Sequence, residues 1–392
     1  MSVTETAPSP AAKPRSYANI TTGDPAPWFA QRATGNPRYV FDTAAGRYLV
    51  LCFYGTSAAP GAQAALARVE ARRALFDDER ACFFGVSVDP ADETEARVTM
   101  LLPGLRHIFD VDGSVSRAYG ALPADAAPGE PAPMRRFWMV LDPTLRVLKT
   151  FPFSPGGEEA DAVLDYVASL PPPRAYAGFE LQAPILLLPN VFEPDLCARL
   201  IETYEREGGE ESGFMRQVDG KTVLVKDHNH KRRKDCDITD PELVRLIQSR
   251  IRRRVASEID KVHQFKVTRM ERYIVGCYAA EDNAHFRAHR DNTTAGTAHR
   301  RFAVSINLND DFDGGEVSFP EYGPRSFKAP PGGAVVFSCS LLHAVSRVAR
   351  GRRYAFLPFL YDDEAARLRE RNAQYLDPAL QGYGAGEKPA GS

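Results

Sequence analysis

The stretch YIVGCYAAEDNAHFRAHRDN, residues 273–292, holds His285, His289 and Asp291 within seven positions. Two imidazoles and a carboxylate set so close are either a polar loop or part of a metal site. His289-Arg290-Asp291 is a His-x-Asp step. On an extended segment, residues two apart project to the same side, so one imidazole and one carboxylate can reach one ion. A third ligand is available downstream in His343, within CSLLHAVSRVARGRRYAF. Two histidines and a carboxylate on one face of an octahedral ion leave the other positions open, which suits non-haem Fe(II) and oxygen chemistry. Two open positions would hold a bidentate co-substrate and the third O2. Arg353, in the strand-like GRRYAFLPFL, is placed to grip the far carboxylate of a dicarboxylic acid through paired hydrogen bonds. Arg352 takes that role if the strand register slips by one. His285 is expected at the rim. DHNH, residues 227–230, reads as a loop at the substrate rim or as a second metal cluster. Arg287 and Arg290 read as guides for an anionic substrate or as solvated side chains.

The elements that must carry these residues are legible in the texture of the chain. From 266 to 361 nearly everything reads as short strands: KVTRMERYIVGCY, RFAVSINLN, GEVSFPEY, RSFKA, GAVVFSCS and RRYAFLPFLYD, with Gly, Pro, Asn and Asp between them. That spacing suggests a sandwich or jelly roll. Two amphipathic helices precede it, 193–205 and 240–265. In the second, Leu243, Ile247, Ile251, Val255 and Ile259 form one apolar stripe. A last helix is expected over 362–376. Upstream the pattern differs. GRYLVLCFYG (46–55) and ACFFGVSVD (81–89) read as strands buried on both faces. A segment of helical composition lies between them, RRFWMVLDPTLRVLKTF (135–151) reads as a hairpin, and 158–170 as a helix stopped by prolines. Strands alternating with helices indicate an α/β domain. PPPRAYAGFE, residues 171–180, is the expected linker.

The order CY…F..H.D…LN…GGE..F…PGG.VVF…LH.V…G.RY, over about 266–361, resembles the Fe(II)/2-oxoglutarate-dependent dioxygenases, in particular their prolyl 4-hydroxylase-like branch. The resemblance covers roughly a quarter of the chain, and the helices before it resemble that family's helical support. It implies a double-stranded β-helix, or jelly roll, over 181–376, with His289, Asp291 and His343 as iron ligands. It also implies Arg353 as the residue that binds the distal carboxylate of 2-oxoglutarate, and Tyr278 in the co-substrate pocket. Asn307 stands where the family commonly places a tyrosine co-substrate contact. Cofactor and co-substrates would be Fe(II), 2-oxoglutarate and O2, with release of succinate and CO2 and hydroxylation of an unactivated C–H bond.

Residues 18–170 resemble the peroxiredoxin branch of the thioredoxin fold, through GDPAPWF, FDTAAGRYLVLCFYGTSAAPGAQ, FFGVSVDP and DVDGSVSRAYGAL. Peroxiredoxins carry Thr-x-x-Cys after the first core strand, whereas here the run is Thr56-Ser57-Ala58-Ala59. Peroxide reduction needs a thiolate, and Ala59 supplies none. Arg136 matches the arginine that would have supported it. Cys52 and Cys82 lie in apolar runs, where cysteine is usually inert packing.

The fold expected is therefore an α+β multidomain chain: a lead (1–17), a thioredoxin-like α/β domain, a linker, a jelly roll with supporting helices, and a flexible tail (377–392). Its 392 residues exceed one ordinary core. A net charge of −2 gives no global basic field for nucleic acid, and the local runs HKRRK and RIRRRV read as solvated faces. No apolar run is long enough to span a bilayer. Six scattered cysteines without framework spacing fit a reduced, cytoplasmic protein. The expected activity is a 2-oxoglutarate-dependent hydroxylase acting on an amino-acid-like small molecule or a peptidyl residue. The alternatives are a non-catalytic binding protein on degenerate folds and a thiol-dependent peroxide enzyme. A homodimer is expected by fold analogy alone.

Overall fold

The computed structural model describes residues 15–128 and 132–380, so the expected lead up to residue 14 and the tail from 381 lie outside the described residues. The chain divides into two compact units between Glu180 and Leu181.

In the first unit the strand Tyr48–Gly55 is buried at every position. It pairs in parallel with Ala81–Ser87 and antiparallel with Phe137–Leu141. A strand covered on both faces has no use for a polar side, which is why its sequence is continuously apolar. The seven-stranded sheet runs Asn36–Val40, Ala30–Ala33, Leu105–Phe109, Ala81–Ser87, Tyr48–Gly55, Phe137–Leu141, Val147–Pro152. Helices Pro60–Ala71 and Glu159–Ser169 pack Ala62, Ala65, Val69, Val163 and Val167 against Val50, Cys52 and Trp138 of that sheet. This is a thioredoxin-like α/β unit. The expected hairpin turns at Asp142, whose Oδ1 accepts from the Thr144 and Arg146 N–H groups at 2.8 and 3.0 Å, a side chain standing in for a backbone turn acceptor. The Tyr48 hydroxyl donates to the Pro171 carbonyl at 2.8 Å, so the proline-rich stretch begins packed on this unit.

The second unit is a double-stranded β-helix. Its nine-stranded sheet follows the path Arg269–Glu271, Phe359–Tyr361, Phe302–Asn307, Arg352–Phe356, Ile274–Ala279, Lys234–Asp237, Glu210–Glu211, with Ala334–Ser338 paired to Phe302–Asn307 and Leu186–Leu188 paired in turn to Ala334–Ser338. The five-stranded sheet runs Lys231–Arg232, His285–His289, His343–Val345, Val317–Ser318, Ser326–Phe327. Alternation along the large sheet separates its two faces. Val304, Ile306, Phe356 and Cys277 pack outward on the helices, with Leu200, Ile247 and Val255. Tyr278 turns inward, into one apolar cluster with Phe286, Phe312, Val345 and Val348. The interior between the sheets therefore joins residues of both.

The single helix expected over 240–265 forms in three parts: Pro241–Ile251, a π-helical turn Arg252–Ala256, and Ser257–His263. The stripe explains the break. Spacing of four runs ahead of a turn of 3.6 residues, so a regular helix would rotate Val255 and Ile259 out of the core. The wider π turn absorbs the excess, and all five stripe residues are buried. Each buried aliphatic side chain contributes roughly 1.5–3 kcal/mol, so the stripe rather than hydrogen-bond regularity sets the path. The last helix spans Asp363–Asn372, capped by Asp362, with a 3-10 turn Ala373–Tyr375 after it. Among the described residues, no helix is long and apolar enough to cross a membrane.

Candidate active site

Strand pairing, rather than sequence proximity, assembles the cluster. His289 closes the strand His285–His289 and sits in antiparallel register directly opposite His343, the first residue of His343–Val345. The two rings lie 4.2 Å apart, centroid to centroid. Asp291, just past the strand end, is held by its N–H donating to the Cys339 carbonyl at 2.9 Å. Its Oδ1 is 3.5 Å from His289 Nε2 and its Oδ2 3.4 Å from His343 Nε2. The ligand atoms of all three lie within 4.8 Å of one another.

The hydrogen bonds of the rings fix what these atoms offer. His289 Nδ1 faces the Arg287 carbonyl at 2.7 Å, and His343 Nδ1 the Leu341 carbonyl at 3.0 Å. A carbonyl only accepts, so each Nδ1 carries a proton and each ring turns Nε2 toward Asp291. Burial, then the neighbouring His343, push the His289 imidazole down to about 4, so it is neutral at pH 7. Burial alone would raise the Asp291 carboxyl, but the two histidines outweigh it and hold it below the ordinary range. Two imidazole Nε2 atoms and a carboxylate thus converge on one point. Two imidazole nitrogens and one carboxylate oxygen this close are a donor set that fits a divalent metal.

Arg353 lies inside the barrel and Arg352 outside it, as strand alternation requires. Arg352 is exposed and pairs with Glu281 at 2.6 Å. Arg353 is 2 % exposed. Its Nε donates to Asn307 Oδ1 at 2.9 Å and its Nη2 to Ser305 Oγ at 2.7 Å, while Nη1 has no partner. Among the described residues no carboxylate pairs with it. Burial lowers its pKa to about 10. Asn307 in turn donates to the Ala329 carbonyl at 2.8 Å, so it orients the guanidinium from behind. Gly315, with φ +65, permits the close approach, because a Cβ there would stand 3.0 Å from Arg353 Cδ. Tyr278 pairs in register with Arg353 and its ring lies 5.2 Å from that guanidinium. The Tyr278 hydroxyl accepts from Arg233 Nη1 at 3.2 Å.

Two basic residues of HKRRK differ from the solvated face expected of that run. Lys231 is 4 % and Arg233 7 % exposed, because Lys231, Arg233 and Asp235 alternate along extended chain and turn inward together. The signal was present in sequence as a two-residue period of charge that includes a compensating aspartate. In the other run, RIRRRV, Arg250 and Arg254 both reach Glu193. The loop 227–230 brings His230 to a ring distance of 6.3 Å from His289 and 4.4 Å from Phe214, yet no metal cluster forms there among the described residues. His285 stays at the edge, its ring nitrogens near the Asn283 and Asn229 carbonyls. Arg290 is buried against Glu321 at 2.9 Å and also bonds the Ser340 carbonyl, so it does not guide a substrate at the surface. Arg287 is exposed.

In the first unit Ala59 caps the helix Pro60–Ala71, where a peroxidatic cysteine would stand. Cys52 is fully buried, and burial raises its thiol well above the usual range. Cys82 is pushed up to about 12 by burial, with a further contribution from the hydrogen bond its Sγ donates to Asp78 Oδ1 at 2.9 Å.

Comparison with known proteins divides the chain the same way. Residues 273–361 match the model of the 2OG-Fe(II) oxygenase superfamily, and residues 22–148 that of the AhpC/TSA family. The second unit therefore carries a 2OG-Fe(II) oxygenase segment and the first an AhpC/TSA segment. Among curated proteins, a PKHD-type hydroxylase of Gluconobacter oxydans is 40% identical over 80 residues, which cover 18% of this chain and 35% of the relative. A PKHD-type hydroxylase of Cupriavidus metallidurans is 38% identical over 80 residues, with the same two coverages. The chain thus spans 35% of the length of these relatives. Among solved structures, a prolyl hydroxylase from Trichoplax adhaerens in complex with a hypoxia inducible factor peptide is 16% identical, with a TM-score of 0.39. That alignment covers 48% of this chain and 86% of the other. Peroxidoxin BcpB from Mycobacterium tuberculosis is 21% identical, with a TM-score of 0.32 and coverages of 39% and 99%.

Proposed function

We propose that this chain is an Fe(II)- and 2-oxoglutarate-dependent dioxygenase, hydroxylating an unactivated C–H bond of an amino-acid-like small molecule or a peptidyl residue. The observation that carries the reading is the pairing of the His289–Asp291–His343 cluster with a buried guanidinium that has no carboxylate of its own. The 2OG-Fe(II) oxygenase match over residues 273–361 supports the same reading. The cluster would hold Fe(II), and Arg353, oriented by Asn307 and Ser305, would bind the distal carboxylate of 2-oxoglutarate beside Tyr278. When bound, iron and the keto acid supply the oxidising power, with 2-oxoglutarate and O2 yielding succinate, CO2 and the hydroxylated product. The protein's own residues supply orientation and a dry enclosure. Phe286 stacks on the His289 ring at 3.5 Å, and Phe312 and Val348 are buried in one apolar cluster with Tyr278 and Phe286.

The test is anaerobic addition of Fe(II) and then 2-oxoglutarate to the full chain, read by visible absorption. A metal-to-ligand charge-transfer band that needs both additions supports the assignment. Metal binding without the band removes keto-acid chelation and favours a non-catalytic binding protein.

The first unit, in this reading, presents or docks a substrate and performs no thiol chemistry. We expect no cysteine-dependent consumption of hydrogen peroxide by the purified chain, measured with a peroxide electrode. Turnover abolished by Cys52→Ser or Cys82→Ser would show that a buried thiol becomes reactive after all.

A further inference from the structure

Arg353 is not the only buried cation near the cluster that lacks an acid. Lys231 stands in register with Phe286 on the neighbouring strand, with its ammonium 4.9 Å from the Phe286 ring centroid. That ring stacks on His289. The ammonium donates to Ser212 Oγ at 2.7 Å and to the Gly213 carbonyl at 2.6 Å, both neutral. As an ammonium the group has three N–H bonds, so one is left over; burial, then Arg233, push its pKa well below the ordinary value, so it is a bound anion that would hold it charged. The nearby charges are Arg233, Arg272, Asp235 and Asp291. Asp235 is already occupied: it accepts from Arg233 at 2.5 and 2.7 Å, from Arg272 at 3.0 Å and from Ser212 at 2.5 Å. Asp291 belongs to the metal cluster. No ion pair joins Lys231 to a carboxylate among the described residues. Lysine is almost never fully buried unpaired, and an uncompensated buried ammonium costs several kcal/mol. Anchoring the 212–213 backbone would need only a neutral donor.

We infer that Lys231 anchors a carboxylate of the substrate to be oxidised, which makes that substrate a free carboxylic acid of amino-acid size. The inference rests on the dioxygenase reading. Charge balance supports it. Bound Fe(II) and Arg353 would be balanced by Asp291 and the 2-oxoglutarate dianion, so the loaded site leaves no negative charge over for Lys231. One remaining N–H suits a single carboxylate oxygen, whereas a phosphate group asks for several donors. The approach is cationic as well. The exposed Arg216 and Arg287 flank His230, which packs on Phe214 and Phe286, with Asp227 as the only opposing charge among those acting on it. Cationic side chains grouped in this way attract anions.

The test uses the full chain with Mn(II) and 2-oxoglutarate under nitrogen, and follows the thermal midpoint. The probes are the twenty free L-amino acids and their carboxamides, compared in wild type, Lys231→Met and Lys231→Arg. We expect at least one free acid to raise the wild-type midpoint above its carboxamide. Lys231→Met should lose that difference, with at least tenfold weaker binding of the acid, and Lys231→Arg should keep most of it. Both variants should retain the rise caused by Mn(II) and 2-oxoglutarate, which reports an intact fold and co-substrate site. The inference is overturned if no acid exceeds its amide, if Lys231→Met keeps the difference, or if that variant loses the response to Mn(II) and 2-oxoglutarate. Failure of the dioxygenase reading looks different: the wild type itself would not respond to Mn(II) and 2-oxoglutarate. The acid–amide comparison, repeated without metal, still reports on Lys231.

Discussion

His289→Ala abolishes the charge-transfer band and weakens Fe(II) binding by more than about 100-fold, since even outer-shell partners of metal ligands are worth ~10–100-fold. Turnover of 2-oxoglutarate to succinate falls to background with it. The argument lies in the lone pairs. His289 Nδ1 is committed to the Arg287 carbonyl, so Nε2 faces Asp291 without a proton. A histidine kept for architecture would be expected to donate to that carboxylate, and its loss would lower the stability of metal-free protein. A ligand behaves in the opposite way. Metal-free protein changes little, by on the order of 1 kcal/mol or about 2–4 °C in Tm, because removing one lone pair relieves repulsion while leaving a small gap beside Phe286. The loss appears only when metal is present. Titrating Fe(II) into both proteins and melting each with and without metal separates the two cases. Full activity in the variant would remove His289 from the ligand set.

The parts of the site that were legible in sequence are those whose chemistry has no cheap substitute. A metal cluster at His289, Asp291 and His343 would need those residue types, and His289 and Asp291, at and just past one strand end, stand at a spacing that sequence displays. The choice between Arg352 and Arg353 was also within reach, since only one of two adjacent strand residues faces inward, but it needed the register with Tyr278 to settle it. Asn307 was read at a co-substrate position, and in the structure its side chain bonds both the Arg353 guanidinium and the Ala329 carbonyl. Residue type alone does not separate touching a ligand from orienting the group that touches it. Lys231 and Arg233 were hidden for another reason. A basic run usually lies in water; only the alternation with Asp235 pointed inward, and nothing local says that Ser212 and Tyr278 are waiting there. The π turn in the helical support was foreshadowed by the spacing of four between apolar residues, which no regular α-helix keeps on one face for long.

Arg353→Met reduces 2-oxoglutarate affinity by a factor on the order of 30 to several thousand, the range implied by ~2–5 kcal/mol for truncating one partner of a buried charge pair. Fe(II) affinity stays within a fewfold of wild type, because Arg353 is no ligand and its bonds run to Asn307 and Ser305. Stability gives the independent reading. In the ligand-free protein, Arg353 is a desolvated cation with an unpartnered Nη1 and only neutral acceptors. Replacing such a group by an apolar chain of similar length is often neutral or stabilising, so the Tm of ligand-free Arg353→Met should hold or rise. A residue kept for architecture would do the reverse, lowering Tm and leaving 2-oxoglutarate affinity untouched. Calorimetric titration of 2-oxoglutarate into the Mn(II) protein, with melts of the ligand-free forms, distinguishes the outcomes. Raised ligand-free stability together with lost 2-oxoglutarate binding would show that the barrel stores an uncompensated charge in order to select a dicarboxylate. The neutral acceptors Asn307 and Ser305 are consistent with that, since an acidic partner at either position would satisfy the guanidinium before the co-substrate arrived.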